Sequence, residues 1–201
     1  MMIATAVLAL AGSAHGFAGV TQPRSFATSL NSVGIYYSSS TGNTETVAGY
    51  ISEEIGVDIV DISDASDEEI LAHDGLIVGA PTWNTGEDEQ RSGTSWDDWL
   101  YDTLPDLDIG DKKVAVFGCG DQASYSDNFA DAAGELHDLF SAKGCTMLGM
   151  TSTDGYEHDD SKAMKDGKFV GAIFDEDNQY ELSEDRAKAW VAQLKKEGMP
   201  L

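Results

Sequence analysis

Basic side chains are scarce in this chain: 12 lysines and arginines stand against 36 aspartates and glutamates in 201 residues, a formal charge of −24. That sign repels nucleic acid and anionic membrane surfaces, so neither is expected as a partner. It suits either plain solubility or transient docking on basic surfaces, where steering raises encounter rates, and charge alone does not separate the two. Cysteine is nearly absent as well. Cys119 and Cys145 make neither a disulfide framework nor a metal site, and read as ordinary thiols of a reducing compartment. The four histidines, His15, His73, His137 and His158, are scattered without ligand spacing, so no metal is expected. Disorder does not follow from the charge, because 41% of the residues are hydrophobic and fall in patterned segments.

Acids are missing from the start of the chain. None precedes Glu45, and Arg24 is the only charged side chain before it. Residues 3–11 form an apolar run too short to cross a bilayer, followed by the small residues Gly12, Ser13, Ala14 and Gly16. This is the pattern of a signal peptide, without the usual positive start. Residues 21–32 are rich in serine and threonine and free of acids, like a transit peptide. Residues 1–30 are therefore expected to be a targeting leader and residues 31–201 one folded domain. The pair resembles the bipartite plastid leader of algae, with Phe17 opening the transit part; a plain secretory signal is the alternative.

Beyond the leader, strand and helix alternate five times. Val33–Tyr37, 57–62, 76–80, 114–118 and two short runs at 146–150 and 169–174 read as strands. Helices are expected at 43–55, Asp67–Ala72, 96–103, 128–143 and 183–196, the last with Ser183 in its capping turn. Residues 151–168 are a polar stretch. Alternation with continuously apolar strands means a doubly wound α/β fold, a parallel sheet covered on both faces. Ligands in such folds sit beyond the carboxyl ends of the strands, at the switch in strand order. Three loops are placed there.

The first loop, Ser38, Ser39, Ser40, Thr41, Gly42, Asn43 and Thr44, sets five hydroxyls and a glycine between a strand and a helix N-terminus. Exposed N–H groups and the helix dipole there bind phosphate without a cation. With no lysine it is not a Walker A loop, so it suits a terminal monophosphate rather than phosphoryl transfer. A solvated capping turn is the plainer reading. The second loop, Pro81, Thr82, Trp83, Asn84, Thr85 and Gly86, carries a tryptophan placed to stack on a flat ligand or to pack beneath its own loop. The third holds Gly118, Cys119, Gly120, Asp121 and Gln122, with Tyr125 and Asn128 beyond. Its formal G-x-G-x-x-A match through Ala123 is a decoy: Asp121 occupies the pyrophosphate position, and the match follows the fourth strand rather than the first.

In order and spacing, SSSTGNTE (38–45), APTWNTGE (80–87), GCGDQASYSDNF (118–129) and DGKFVGAIFDEDNQ (166–179) resemble the motifs of long-chain flavodoxins. The likeness runs from Val33 nearly to the C-terminus, and QRSGTSW (90–96) resembles the algal form. The resemblance implies a flavodoxin-like five-stranded parallel sheet in the order 2-1-3-4-5, its fifth strand split by a long-chain insertion. It implies non-covalent FMN as cofactor. Ser39, Ser40, Thr41, Gly42, Asn43 and Thr44 would hold the phosphate, and Trp83 and Tyr125 would sandwich the ring. Pro81, Thr82, Asn84, Thr85, Gly86, Cys119, Gly120, Asp121 and Asn128 would line its edge and the ribityl chain. Ser38, Thr85 and Cys119 depart from common choices at their positions. The implied role is one-electron transport by a plastid monomer, with no enzymatic chemistry of its own, tuned at the Asn84–Thr85 peptide. Photosystem I would be the donor and ferredoxin–NADP reductase the acceptor, replacing ferredoxin when iron is scarce. An FMN-dependent NAD(P)H:quinone reductase on the same fold is the alternative. A flavin-free phospho-acceptor receiver domain would need acids where the first strand here ends in serines.

Overall fold

A computed structural model describes residues 32–201; the expected leader, residues 1–30, lies outside the described residues. The strands β1 (Val33–Tyr37), β2 (Ile59–Asp61), β3 (Gly75–Pro81), β4 (Lys113–Cys119) and β5 (Thr146–Leu148) form a parallel sheet in the order β2-β1-β3-β4-β5. β1 and β3 are buried along their whole length, because helices cover both faces. Alternate residues nevertheless divide between two cores. Ile35, Tyr37, Ile77, Ala115 and Phe117 meet α1 (Asn43–Ile55) and α5 (Ser183–Glu197) through Val47, Ile51, Trp190 and Leu194. Tyr36, Leu76, Val78, Val114 and Val116 meet the other layer, including Trp96, Leu100, Leu136 and Phe140. Among the described residues the remaining α-helices are α2 (Asp67–Ala72), α3 (Ser95–Asp98) and α4 (Asp131–Ala142).

The fifth strand is split, as expected. β5 pairs with the first half of β4, and β9 (Ala172–Phe174) pairs in parallel with its second half at Phe117–Cys119. The polar stretch between them is not plain loop. With Phe169 it builds a small antiparallel sheet of β6 (Thr151–Ser152), β8 (Lys168–Phe169) and β7 (Met164–Lys165). Phe169 thus belongs to that sheet rather than to the strand expected at 169–174.

Other boundaries moved for identifiable reasons. β2 is three residues long, because Asp61 turns to accept the Ser63 N–H at 2.9 Å. The helix expected at 96–103 is α3 followed by a π-turn, Trp99–Thr103. Widening the turn lets Trp96 and Trp99 share the core, Trp99 stacking on Phe140 at 5.9 Å, before Pro105 ends it. α4 starts at Asp131 rather than 128, since Ala130 is left-handed (φ 56°) and Phe129 turns to pack on Tyr156 and Phe169. Ser183 does not cap α5 with its side chain; its buried hydroxyl donates to Glu176.

Candidate functional site

Strand order reverses between β1 and β3, so the crevice opens beyond their carboxyl ends. The first wall is the loop from Ser38 into α1. Ser38 N–H donates to Gly79 O at 3.3 Å and ties the loop to β3. The Ser39 hydroxyl turns inward and accepts the Gly42 N–H at 2.9 Å, so it shapes the loop rather than facing the crevice. Gly42 sits at φ 97°, a conformation that any side chain would strain, and begins α1 without a side-chain cap. The N–H groups of the first helical turn therefore lack both an intrahelical acceptor and a capping oxygen. Thr44 is fully buried just inside that turn. Its Oγ1 has no hydrogen-bond partner; the Cys119 thiol approaches without a well-formed bond. A buried hydroxyl left unpaired costs free energy, which an anion seated at the helix start would recover. The donors fit a phosphate.

Residue 83 and Tyr125 form the other walls. Trp83 is 48% exposed and Tyr125 51%, whereas Trp96 and Trp190 are buried with their indole N–H groups bonded to Gly79 O and Gly149 O. Two large rings left half in water beside one crevice are a docking place for a flat heterocycle. The crevice between them is lined by Thr41, Asn43, Pro81, Thr82, Trp83, Thr85, Cys119, Gly120, Asp121, Tyr125 and Asp177. All three expected loops meet there. Some expected residues are also tied back into the fold: Thr82, in the lining, accepts the Ala132 N–H at the start of α4 through Oγ1, and the Asn84 amide, behind it, donates to Gln90 O at 2.6 Å. The Asn128 amide points to Asp131, and Ser40, Gly86 and Asn128 are not among the lining residues.

No lining residue is basic. Burial raises the Asp121 carboxyl, but bonds from the Ser124 hydroxyl, the Ser124 and Ala123 N–H groups and the Asn178 amide outweigh it and hold it below the usual carboxylate range. Asp177, in the turn that follows β9, accepts from the Asn43 amide at 3.4 Å beside the helix start. Desolvation, then the charges of Asp121 and Asp175, push its carboxyl above the ordinary value. Burial pushes the Cys119 thiol up to about 12, so it stays protonated and unreactive at neutral pH.

Asp177 is the site residue that the sequence reading did not single out. It lies 134 positions from Asn43, and only the carboxyl-end rule applied to the last strand would have drawn attention to it. The insertion steadies the third loop: Ser126 O accepts from Asp159 and Asp160 N–H at 3.0 Å, and the Ser126 hydroxyl donates to Asp159 at 2.7 Å.

The family described as Flavodoxin matches residues 35–190. The flavodoxin of Nostoc sp. is 48% identical over 170 residues, covering 82% of this chain and 96% of that protein. That of Synechocystis sp. is 46% identical over 172 residues, covering 83% and 97%. Among solved structures, Fusobacterium nucleatum flavodoxin bound to flavin mononucleotide superposes with a TM-score of 0.71 at 29% identity, over 82% of this chain and 97% of that one. With its family match, its sheet order and the three loops meeting at the switch point, the chain belongs to the flavodoxin family of electron-transfer proteins.

Proposed function

We propose that this chain binds FMN without a covalent bond and moves single electrons from photosystem I to ferredoxin–NADP reductase in place of ferredoxin. It does so in the stroma of an algal plastid once residues 1–30 are removed. The observation that carries the cofactor is the uncapped start of α1 with the orphaned Thr44 hydroxyl, beside a crevice that two half-exposed rings also line. When bound, FMN supplies the redox chemistry. The N–H groups at the start of α1 and Thr44 Oγ1 hold its phosphate, and Trp83 and Tyr125 cover the two ring faces and exclude water. Asp121 and Asp177, with no basic lining residue to offset them, oppose added negative charge in the crevice and keep the potential low. The Asn84–Thr85 peptide tunes it. Asn84 O accepts from Glu87 N–H across a long 3.4 Å bond in a turn with Gly86 at φ 84°, so this carbonyl reorients toward the crevice at small cost.

Partner choice follows from charge. A protein with 36 acids and 12 bases steers onto basic surfaces, and that attraction fades within a Debye length as salt rises. The test is an absorption spectrum and FMN titration of the purified protein. Reduction by illuminated photosystem I and NADP reduction with the reductase are then followed across a salt series. A colourless protein that cannot be reconstituted would refute the cofactor. Unaided NADPH–quinone turnover, or rates indifferent to salt, would refute the carrier role.

A further inference from the structure

Behind the second loop lies a short strap, residues 90–93, on which Trp83 and Asn84 rest. Both of their N–H groups donate to Arg91 O, at 3.2 and 3.1 Å, and the Asn84 amide donates to Gln90 O. The fit is close: a Cβ on Gly93 would come within 2.7 Å of the Trp83 Cβ. The strap is itself held in an unfavourable shape, with Gln90 left-handed at φ 58°. What holds it is Glu135, a buried carboxylate on α4 that is outside the crevice lining. Its two oxygens accept the Gln90 N–H at 2.7 Å and the Arg91 N–H at 2.8 Å, and Tyr101 OH donates at 2.5 Å. Asp97 secures the other end through the Ser92 and Gly93 N–H groups at 3.1 and 2.9 Å. Among the described residues Glu135 has no ion-pair partner, so these charge-assisted donors are what offset its burial.

We propose that Glu135 is a positioning residue for the flavin-stacking loop: by gripping the Gln90–Arg91 backbone it sets the place of Trp83 and of the Asn84 carbonyl. This rests on the FMN reading above. The chain of contacts runs carboxylate, strap, loop: among the described residues the backbone N–H groups of Trp83 and Asn84 both donate to Arg91 O, while the Asn84 side-chain amide also reaches Asp97 at 3.4 Å. Releasing Gln90 and Arg91 from Glu135 therefore loosens both N–H groups, while Asp97 still holds residues 92 and 93.

Amide exchange followed by NMR on the apoprotein tests the grip without any cofactor. In the wild type, the Trp83, Asn84, Gln90 and Arg91 amides should open as one group with a shared protection factor. Glu135→Gln keeps the shape but turns an N–H₂ toward one donor; exchange at all four amides should rise roughly tenfold or more, and FMN should bind at least tenfold more weakly. Tyr101→Phe leaves both strap bonds and should keep the protection. The proposal is overturned if E135Q folds and Trp83 and Asn84 stay protected, or if Y101F frees them equally. If E135Q does not fold, free exchange of Trp83 and Asn84 in a wild type with protected Gln90 and Arg91 overturns it as well. A wild type that shows the shared protection but binds no FMN refutes the cofactor reading and leaves the grip standing.

Discussion

Thr44→Val should make the FMN-free protein more stable and the FMN-bound protein less so. The two side chains have nearly the same shape and both are β-branched, so helix propensity and packing barely change. What changes is Oγ1, which is fully buried at the start of α1 and without a hydrogen-bond partner. Leaving such a hydroxyl unpaired costs about 1–3 kcal/mol, and the neighbouring Cys119 thiol recovers part of that, so removing it stabilises the apoprotein by roughly 1 kcal/mol. For a domain of this size that is a rise in Tm of about 2–4 °C. With FMN bound as proposed, the same atom would donate to a phosphate oxygen, a charge-assisted bond worth about 1.5–3 kcal/mol. Its loss raises the FMN dissociation constant roughly tenfold to a hundredfold. The added stability that FMN confers at fixed concentration then shrinks by about 1.4 kcal/mol for each tenfold. Thermal unfolding of T44V and wild type, each with and without FMN, reads both signs. If the apoprotein Tm falls, or FMN binds as tightly as before, the hydroxyl is not aimed at a ligand.

Trp83→Ala and Tyr125→Ala should each weaken FMN binding, by about 0.5–1.5 kcal/mol beyond lost area, while leaving the apoprotein Tm nearly unchanged, since both rings are half in water without ligand; fluorescence titration and calorimetry separate the two effects. Because the Asp177 carboxyl lies above its ordinary range, its charged form is disfavoured in the folded protein, first by desolvation and then by Asp121 and Asp175. Its contribution to stability is thus present below the ordinary aspartate range and lost as pH rises through the raised value. Asp177→Asn should stabilise the apoprotein at neutral pH, with the gain vanishing once the pH drops below the usual aspartate range; a gain that persists in acid would show another cause. Thr85→Gly loosens the turn at the Asn84–Thr85 peptide and should shift the two reduction potentials of bound FMN by different amounts, as spectroelectrochemistry would reveal. Unchanged potentials would remove that peptide from the tuning.

Much of this molecule was legible because strands buried on both faces need unbroken apolar runs. VGIYY, LIVGA and VAVFG could hardly be anything else, and their alternation with amphipathic helices leads to a doubly wound sheet and to its carboxyl edge. The loop leading into α1 was legible for a related reason: a glycine at φ 97° between hydroxyl residues and a helix start is a local feature, written in adjacent positions. Contacts between distant segments were not. The nearness of Asp177 to Asn43, the grip of Glu135 on Gln90 and Arg91, and the orphaning of the Thr44 hydroxyl each depend on how separate elements pack. A run such as 151–168 has too few apolar residues to announce strands, yet it pairs because Phe169 brings it against Phe129 and Tyr156. By itself, then, the sequence determined the sheet, its order of elements and the three loops at its switch point, since burial and turn chemistry act over a few residues at a time. Which side chains face the crevice, which stand behind it as anchors and which acids crowd the helix start were decided only in the tertiary structure, where burial and hydrogen bonding join residues far apart in the chain.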